Sequence, residues 1–151
     1  MYLDSVTEGL TELGKERSRY LEKDTVVIAN SGATLGVPKI LNISGCINDG
    51  VAAFLNLNSD LLSEFLYFTL FSWINILRNT NQGIGQPNLN TEMIGNLYFP
   101  LPTVEEQRKI VSTIVKVDLK IRYYRQHRSK VEELKKGLMQ KLLTGKIRVK
   151  V

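Results

Sequence analysis

Residues 103–143 read TVEEQRKIVSTIVKVDLKIRYYRQHRSKVEELKKGLMQKLL, a run without proline and without glycine until Gly137. Its apolar residues recur in steps of four and three. Ile110, Ile114, Val117, Ile121, Tyr124, Val131, Leu138 and Leu142 fall on one heptad seam, interrupted by Arg128 and Lys135. The spacing predicts one long helix with an apolar edge. Thr103 with Glu106 three residues on forms a capping-box start, and Glu105 sits near the positive end of the dipole. Lys135, Lys136 and Lys141 load the far end with the favoured sign, and Gly145 supplies a left-handed stop. At ~1.5 Å per residue the helix is about 60 Å long, more than a small domain needs to cover its own core. The seam residues, each worth roughly 1.5–3 kcal/mol on burial, require a cover. Either a second helix lies alongside, or the N-terminal region of the chain folds back over the seam. Arg128 and Lys135 mark a pinned register or a drift of the seam toward Leu134.

Upstream, the β-branched run Thr25–Ala29, flanked by Asp24 and by Asn30-Ser31-Gly32, predicts a buried strand. Gly32–Gly36 is a turn, and Val37–Ile43 is a second strand whose Pro38 calls for an edge position or a strand start. Asn48-Asp49-Gly50 is a turn signal before a third strand, Val51–Leu57, which is expected to pair antiparallel with the second. Ser59 and Asp60 open a helix reaching Leu77 that is apolar on all sides and therefore buried against the sheet. A short helix over Glu16–Leu21, a turn of helix over Thr91–Ile94, a last strand over Asn96–Phe99 and an extended tail or strand after Gly145 complete the reading. No repeat or low-complexity segment is present.

Charge is unevenly placed. From Val104 onward there are fourteen Lys and Arg against five Asp and Glu, a balance of +9, whereas the preceding residues hold six against ten, a balance of −4. A basic helix face is an ordinary solvated face, but it also suits a polyanion or an acidic partner. The most apolar run, Leu61–Leu77, is broken by Ser63, Glu64, Thr69, Ser72 and Asn75, which argues against a membrane span. Met1-Tyr2-Leu3-Asp4 lacks the basic start and apolar stretch of a secretory signal, so a cytoplasmic protein is expected.

The chemistry of catalysis is poorly represented. Cys46 is the single cysteine and His127 the single histidine, which excludes an internal disulfide and leaves no cysteine or histidine metal cluster. Gly145-Lys146 is followed by Ile147, which breaks the phosphate-loop pattern, and Gly83-Ile84-Gly85 lacks the third glycine of a dinucleotide site. Neither a catalytic residue nor a metal or cofactor is expected. Two loops are better candidates. Residues 78–90 concentrate amide side chains, and Arg78, Asn79, Asn81, Gln82, Gln86 and Asn88 carry the donor and acceptor pairs that match adenine and guanine edges in the major groove. Asn30, Ser31, Thr34 and Lys39 offer hydroxyls, an amide and a cation for phosphates. The same residue types also make ordinary loops.

Three sets of residues carry a family resemblance. Gly85-Gln86-Pro87-Asn88-Leu89-Asn90 comes first, then Phe99-Pro100-Leu101-Pro102 with Glu106-Gln107 and Ile110-Val111, then Leu134–Ile147 with its Leu142-Leu143-Thr144-Gly145-Lys146 exit. Together they resemble the specificity subunit of type I restriction-modification systems, and Ser31–Gly36 is similar to a segment of that family's target recognition domains. The resemblance runs from about Thr25 onward. It implies a non-catalytic module that reads double-stranded DNA and positions methyltransferase and restriction subunits. A complete specificity subunit carries two recognition domains and two long helices paired antiparallel, whereas this chain has one of each. It is therefore expected to act as a half subunit that pairs with itself. It is also expected to begin inside the recognition domain. The expected class is α+β: a small mixed-sheet recognition domain over residues 1–102, a long helix over 103–144 pairing as an antiparallel coiled coil, and a tail over 145–151. Rival readings are a coiled-coil scaffold that meets protein, a small methyltransferase or nuclease, and a remnant that folds without recognising DNA.

Overall fold

The structure, a computed structural model, describes residues 1–79 and 89–150, with Asn79 described by its backbone alone. The chain divides into two compact units, Met1–Val111 and Ser112–Val151.

The first unit is built on β3, Val26–Ala29, the β-branched run identified from sequence. It is central in a four-stranded sheet of order β1-β4-β3-β6, where β1 is Tyr2–Leu3, β4 is Pro38–Leu41 and β6 is Val51–Phe54. β3 pairs antiparallel with both β4 and β6, while β1 runs parallel to β4, so the sheet is mixed. The expected pairing of the second strand with the third is therefore corrected: β4 and β6 flank β3 on opposite sides. Pro38 is the first residue of its strand, as its missing N–H requires, but β4 lies inside the sheet. The expected helix over Glu16–Leu21 is also replaced. Thr11 accepts the N–H of Gly14 and caps a shorter helix α1, Glu12–Glu16, after which Arg19–Leu21 forms β2 and pairs with Gly45–Ile47, β5.

Alternation along β3 gives the sheet two apolar faces. Val26 and Ile28 join Ile40 in the larger core, beneath Leu66, Tyr67 and Leu70 of α2 (Ser63–Ser72) and Leu77 of α3 (Ile74–Asn79). Val27 and Leu41 point the other way and pack with Leu21 of β2 in a smaller core. The single apolar helix expected from Ser59 to Leu77 is thus two helices with a later start. Asn58–Leu61 closes a turn through the Leu61 N–H on the Asn58 carbonyl, and α2 ends where Trp73 donates to Leu70 three residues back, the tighter spacing of a helix terminus. Trp73 sits edge-on to Phe99 at 6.1 Å.

Asn90 accepts the N–H of Met93 and caps α4, Thr91–Gly95, in agreement with the helical turn read there. The strand expected over Asn96–Phe99 is not formed; these residues cross without ladder partners, and Leu97 and Phe99 pack against the larger core. α5 runs unbroken from Val104 to Leu143. The Thr103 hydroxyl accepts from the Glu106 N–H at 3.4 Å, and Gly145 takes a φ of +71° beyond the far end, both as the sequence requires. No strand forms over residues 146–150. Among the described residues no helix is long and apolar enough to cross a membrane.

Candidate nucleic-acid interface

The loop between β3 and β4 and the turn between β5 and β6 lie side by side. Asn30 donates its backbone N–H to the Gly50 carbonyl and its Nδ2 to the Asp49 carbonyl, each at 2.9 Å. Gly50 leaves little room for a side chain between them: a Cβ there would stand 3.2 Å from the Ser31 hydroxyl and 3.2 Å from Asn48 Oδ1. The turn is closed by Asn48 Oδ1 accepting the Gly50 N–H at 3.0 Å, the local bond that makes asparagine a turn residue. Arg19 braces it from β2 through an ion pair to Asp49 at 2.7 Å.

The same β3–β4 loop holds both flanks of the amide-rich segment. On one side Arg78 donates its Nε to the Leu35 carbonyl at 2.9 Å; on the other, the Leu89 N–H donates to the Asn30 carbonyl at 2.8 Å. The two described flanks of the amide-rich segment are therefore both fastened to the β3–β4 loop, at one end of the sheet. Asn81, Gln82, Gln86 and Asn88 lie outside the described residues, as does the side chain of Asn79. Arg78 is exposed although its Nε is engaged.

Thr34 and Lys39 belong to a neighbouring feature. With Asn48 they line a groove of about 330 Å³ on the sheet face turned away from α2, whose remaining lining is apolar and includes Val27, Leu41 and Val51. Lys39 is opposite Val27 in the β3–β4 register, so its stem crosses apolar surface while its ammonium group can reach water. Asn30 Oδ1 is buried and has no hydrogen-bond partner among the described residues.

On α5 the seam divides. Ile110 and Ile114 are half-buried, but Val117, Ile121, Tyr124, Val131, Leu138 and Leu142 are exposed, at 39–58%. Between Lys120 and Lys130 the helix carries Arg122, Arg125 and Arg128 and no acidic residue.

Sequence reading missed one structurally decisive residue. Gln107, on the first turns of α5, is fully buried. Its Oε1 accepts the Leu62 N–H at 2.9 Å, and its Nε2 donates to the carbonyls of Asp60 at 2.7 Å and Pro102 at 2.8 Å. The signal was the Glu-Gln that follows Pro102 by a few residues, a motif whose second member carries the contact.

The family model "Type I restriction modification DNA specificity domain" matches residues 5–133. The chain belongs to this family. The match starts about twenty residues ahead of the point from which the motifs are legible, so α1 and β2 are part of the family domain. Two archaeal relatives from Methanocaldococcus jannaschii are the type I restriction enzyme MjaVIII specificity subunit, 30% identical over 77% of this chain, and the putative MjaX specificity subunit, 29% identical over 84%. The chain spans 28% and 30% of their lengths. The fold is similar to the HsdS subunit from Thermoanaerobacter tengcongensis, with a TM-score of 0.62 and 21% identity over 81% of this chain and 30% of that one. A second solved structure, from work on assembly and conformational transition of the type I R-M system, gives a TM-score of 0.70 at 23% identity, again over 81% and 30%. A mixed sheet and a long C-terminal helix are thus the fold this chain shares with these solved structures.

Proposed function

We propose that this chain is a DNA-recognition half subunit of a type I restriction-modification complex. The observation that carries the reading is that the β3–β4 loop, with its amide and hydroxyls, holds both flanks of the amide-rich segment, Arg78 and Leu89, in a chain of the specificity family. Arg78, Asn79, Asn81, Gln82, Gln86 and Asn88 meet base edges, and Asn30, Ser31, Thr34 and Lys39 hold the backbone. The recognition domain covers residues 1–102 and the spacer helix 103–144. Methyltransferase and restriction subunits supply the chemistry, and their charge around the duplex offsets the acidity of the recognition part, so the isolated chain binds DNA weakly.

The exposed seam of α5 supports pairing with a second copy, Ile110 to Leu142 forming an antiparallel coiled coil. Two recognition domains are then carried about 60 Å apart, which spans roughly 18 base pairs, and the recognised site is split and palindromic. The test is selection of bound duplexes from a random library by the chain together with a type I methyltransferase subunit. A bipartite motif is expected. Enrichment of no motif, with a binding constant insensitive to salt, would instead favour the scaffold reading, because phosphate contacts release counterions and a protein interface need not.

A further inference from the structure

Which way the two copies run, and in which register, follows from where the seam is interrupted. Resting on the dimeric reading above, we infer that α5 pairs antiparallel about Gln126, so that Arg128 of each copy lies across the partner's Tyr124. In a parallel, in-register pair, residue meets its own copy. Arg128 would face the partner's Arg128 and Lys135 the partner's Lys135, two like-charge layers inside an apolar seam, which is the arrangement polar seam residues are used to exclude.

Antiparallel pairing about residue 126 removes both conflicts. Each interruption then faces a residue that tolerates it: Arg128 faces the partner's Tyr124, an exposed ring able to take a guanidinium on its face, and Lys135 faces the partner's Val117, along which its stem can lie. The purely apolar layers close on themselves, with Ile121 opposite the partner's Val131, Ile114 opposite the partner's Leu138 and Ile110 opposite the partner's Leu142. Every layer joins a seam position of one heptad class to one of the other, the layering that antiparallel helices adopt. A slip by one heptad in either direction leaves four apolar or aromatic seam residues of each copy with no such counterpart within the paired helices, against two in this register, and moves Arg128 off the ring. The monomer is prepared for the contact. Arg128 Nε donates to Glu132 Oε1 at 2.8 Å, one turn along the same helix, which orients the guanidinium while its side chain stays exposed.

The register is tested by cysteine pairing in a Cys46→Ser background, with dimer mass followed by light scattering on the unoxidised protein. Ile121→Cys and Val131→Cys chains are purified separately, mixed, and oxidised. A covalent dimer is expected only in the mixture, because two copies of position 121 stand about 15 Å apart along the axis. Covalent dimers from either variant alone signify parallel pairing and overturn the inference. A dimeric mass without any cross-link, in the mixture or alone, overturns the register while leaving the dimer standing; a monomeric mass sinks the dimer itself. Arg128→Ala should raise the dimer dissociation constant about tenfold through loss of two ring contacts. Arg128→Leu with Lys135→Leu should let the Val131→Cys variant begin to cross-link alone; strict antiparallel pairing in that chain would show that these two residues do not set orientation.

Discussion

Gln107 and Leu62, forty-five residues apart, are joined by a 2.9 Å hydrogen bond from the Leu62 N–H to the Gln107 side-chain oxygen. Leu62 is the residue before α2 and makes no side-chain cap of its own. The amide of Gln107 fills that gap, and its nitrogen ties the carbonyls of Asp60 and Pro102 on either side. One side chain therefore couples the start of α2, the entry to α5 and the proline segment between them.

Replacing Gln107 with Leu keeps the volume but strands three backbone groups. Loss of roughly 2–4 kcal/mol of stability is expected, since each unsatisfied group costs about 1–3 kcal/mol less whatever water recovers. Gln107→Glu should fare no better: it can still accept from Leu62 but faces two carbonyl oxygens with acceptors only. Urea denaturation followed by Trp73 fluorescence checks both, and unchanged midpoints would deny the amide its structural role.

Asn30 tests the part played by the β3–β4 loop. Asn30→Asp removes the donor to the Asp49 carbonyl and sets a carboxylate against it, in a place where the original oxygen is already buried. The sheet should survive, because Val26–Ala29 keeps its ladder on both sides. DNA affinity of the complex with its methyltransferase partner should fall at least tenfold, about 1.4 kcal/mol, as read by fluorescence anisotropy. Equal affinity with intact circular dichroism would remove Asn30 from the recognition surface.

Lys39 makes a different kind of contact and calls for a different readout. If its ammonium group meets a phosphate, Lys39→Ala weakens all duplexes alike and lowers the slope of log K against log salt by about one. A change confined to one sequence, with the slope unaltered, would assign it elsewhere.

What was legible in the sequence follows from the strength of local signals. β3 is four apolar residues between turn residues, and α5 is many heptad steps with caps at both ends; no tertiary information is needed for either. β1, β2 and β5 are two or three residues long, too short for alternation to register, and Arg19-Tyr20-Leu21 becomes a strand only because Gly45–Ile47 lies beside it. Sheet order was misread because neighbours in sequence were assumed to pair, whereas β3 takes both β4 and β6. The break at Trp73 left no mark, since a helix apolar on every side has no phase to lose. In the candidate site, residue types pointed to two loops but could not show that Leu89 and Arg78 fasten one to the other. Gln107 was hidden because a polar residue on an amphipathic helix reads as solvent-facing.

The exposed seam gives a direct test of oligomeric state. Ile121→Asp places a carboxylate one layer from Tyr124 on the apolar edge of α5. In a lone chain the change is nearly neutral, because Ile121 is 42% exposed. In a paired helix it buries a charge against the partner and should return the protein to monomer by light scattering at micromolar concentration, leaving the circular dichroism of the sheet in place. A dimeric mass for the variant would mean that the seam is not the interface.

Seven residues added to α5 keep every seam residue on the same edge, because a heptad restores the phase, and lengthen the helix by about 10.5 Å. In an antiparallel pair each added turn lies beside its partner, so the separation of the two recognition domains grows by that amount once, which is about three base pairs at ~3.4 Å each. The half-site sequences should be untouched, since the loops around Asn30 and Arg78 are not altered. Sequencing of methylated sites, with the methyltransferase subunit present, should therefore show the same two half-sites with a gap wider by about three base pairs. A five-residue insertion is the control: it rotates the distal seam off the edge by about 140°, more than a third of a turn, and should abolish pairing where the heptad preserves it. An unchanged gap in the heptad variant would separate the length of α5 from the spacing of the site.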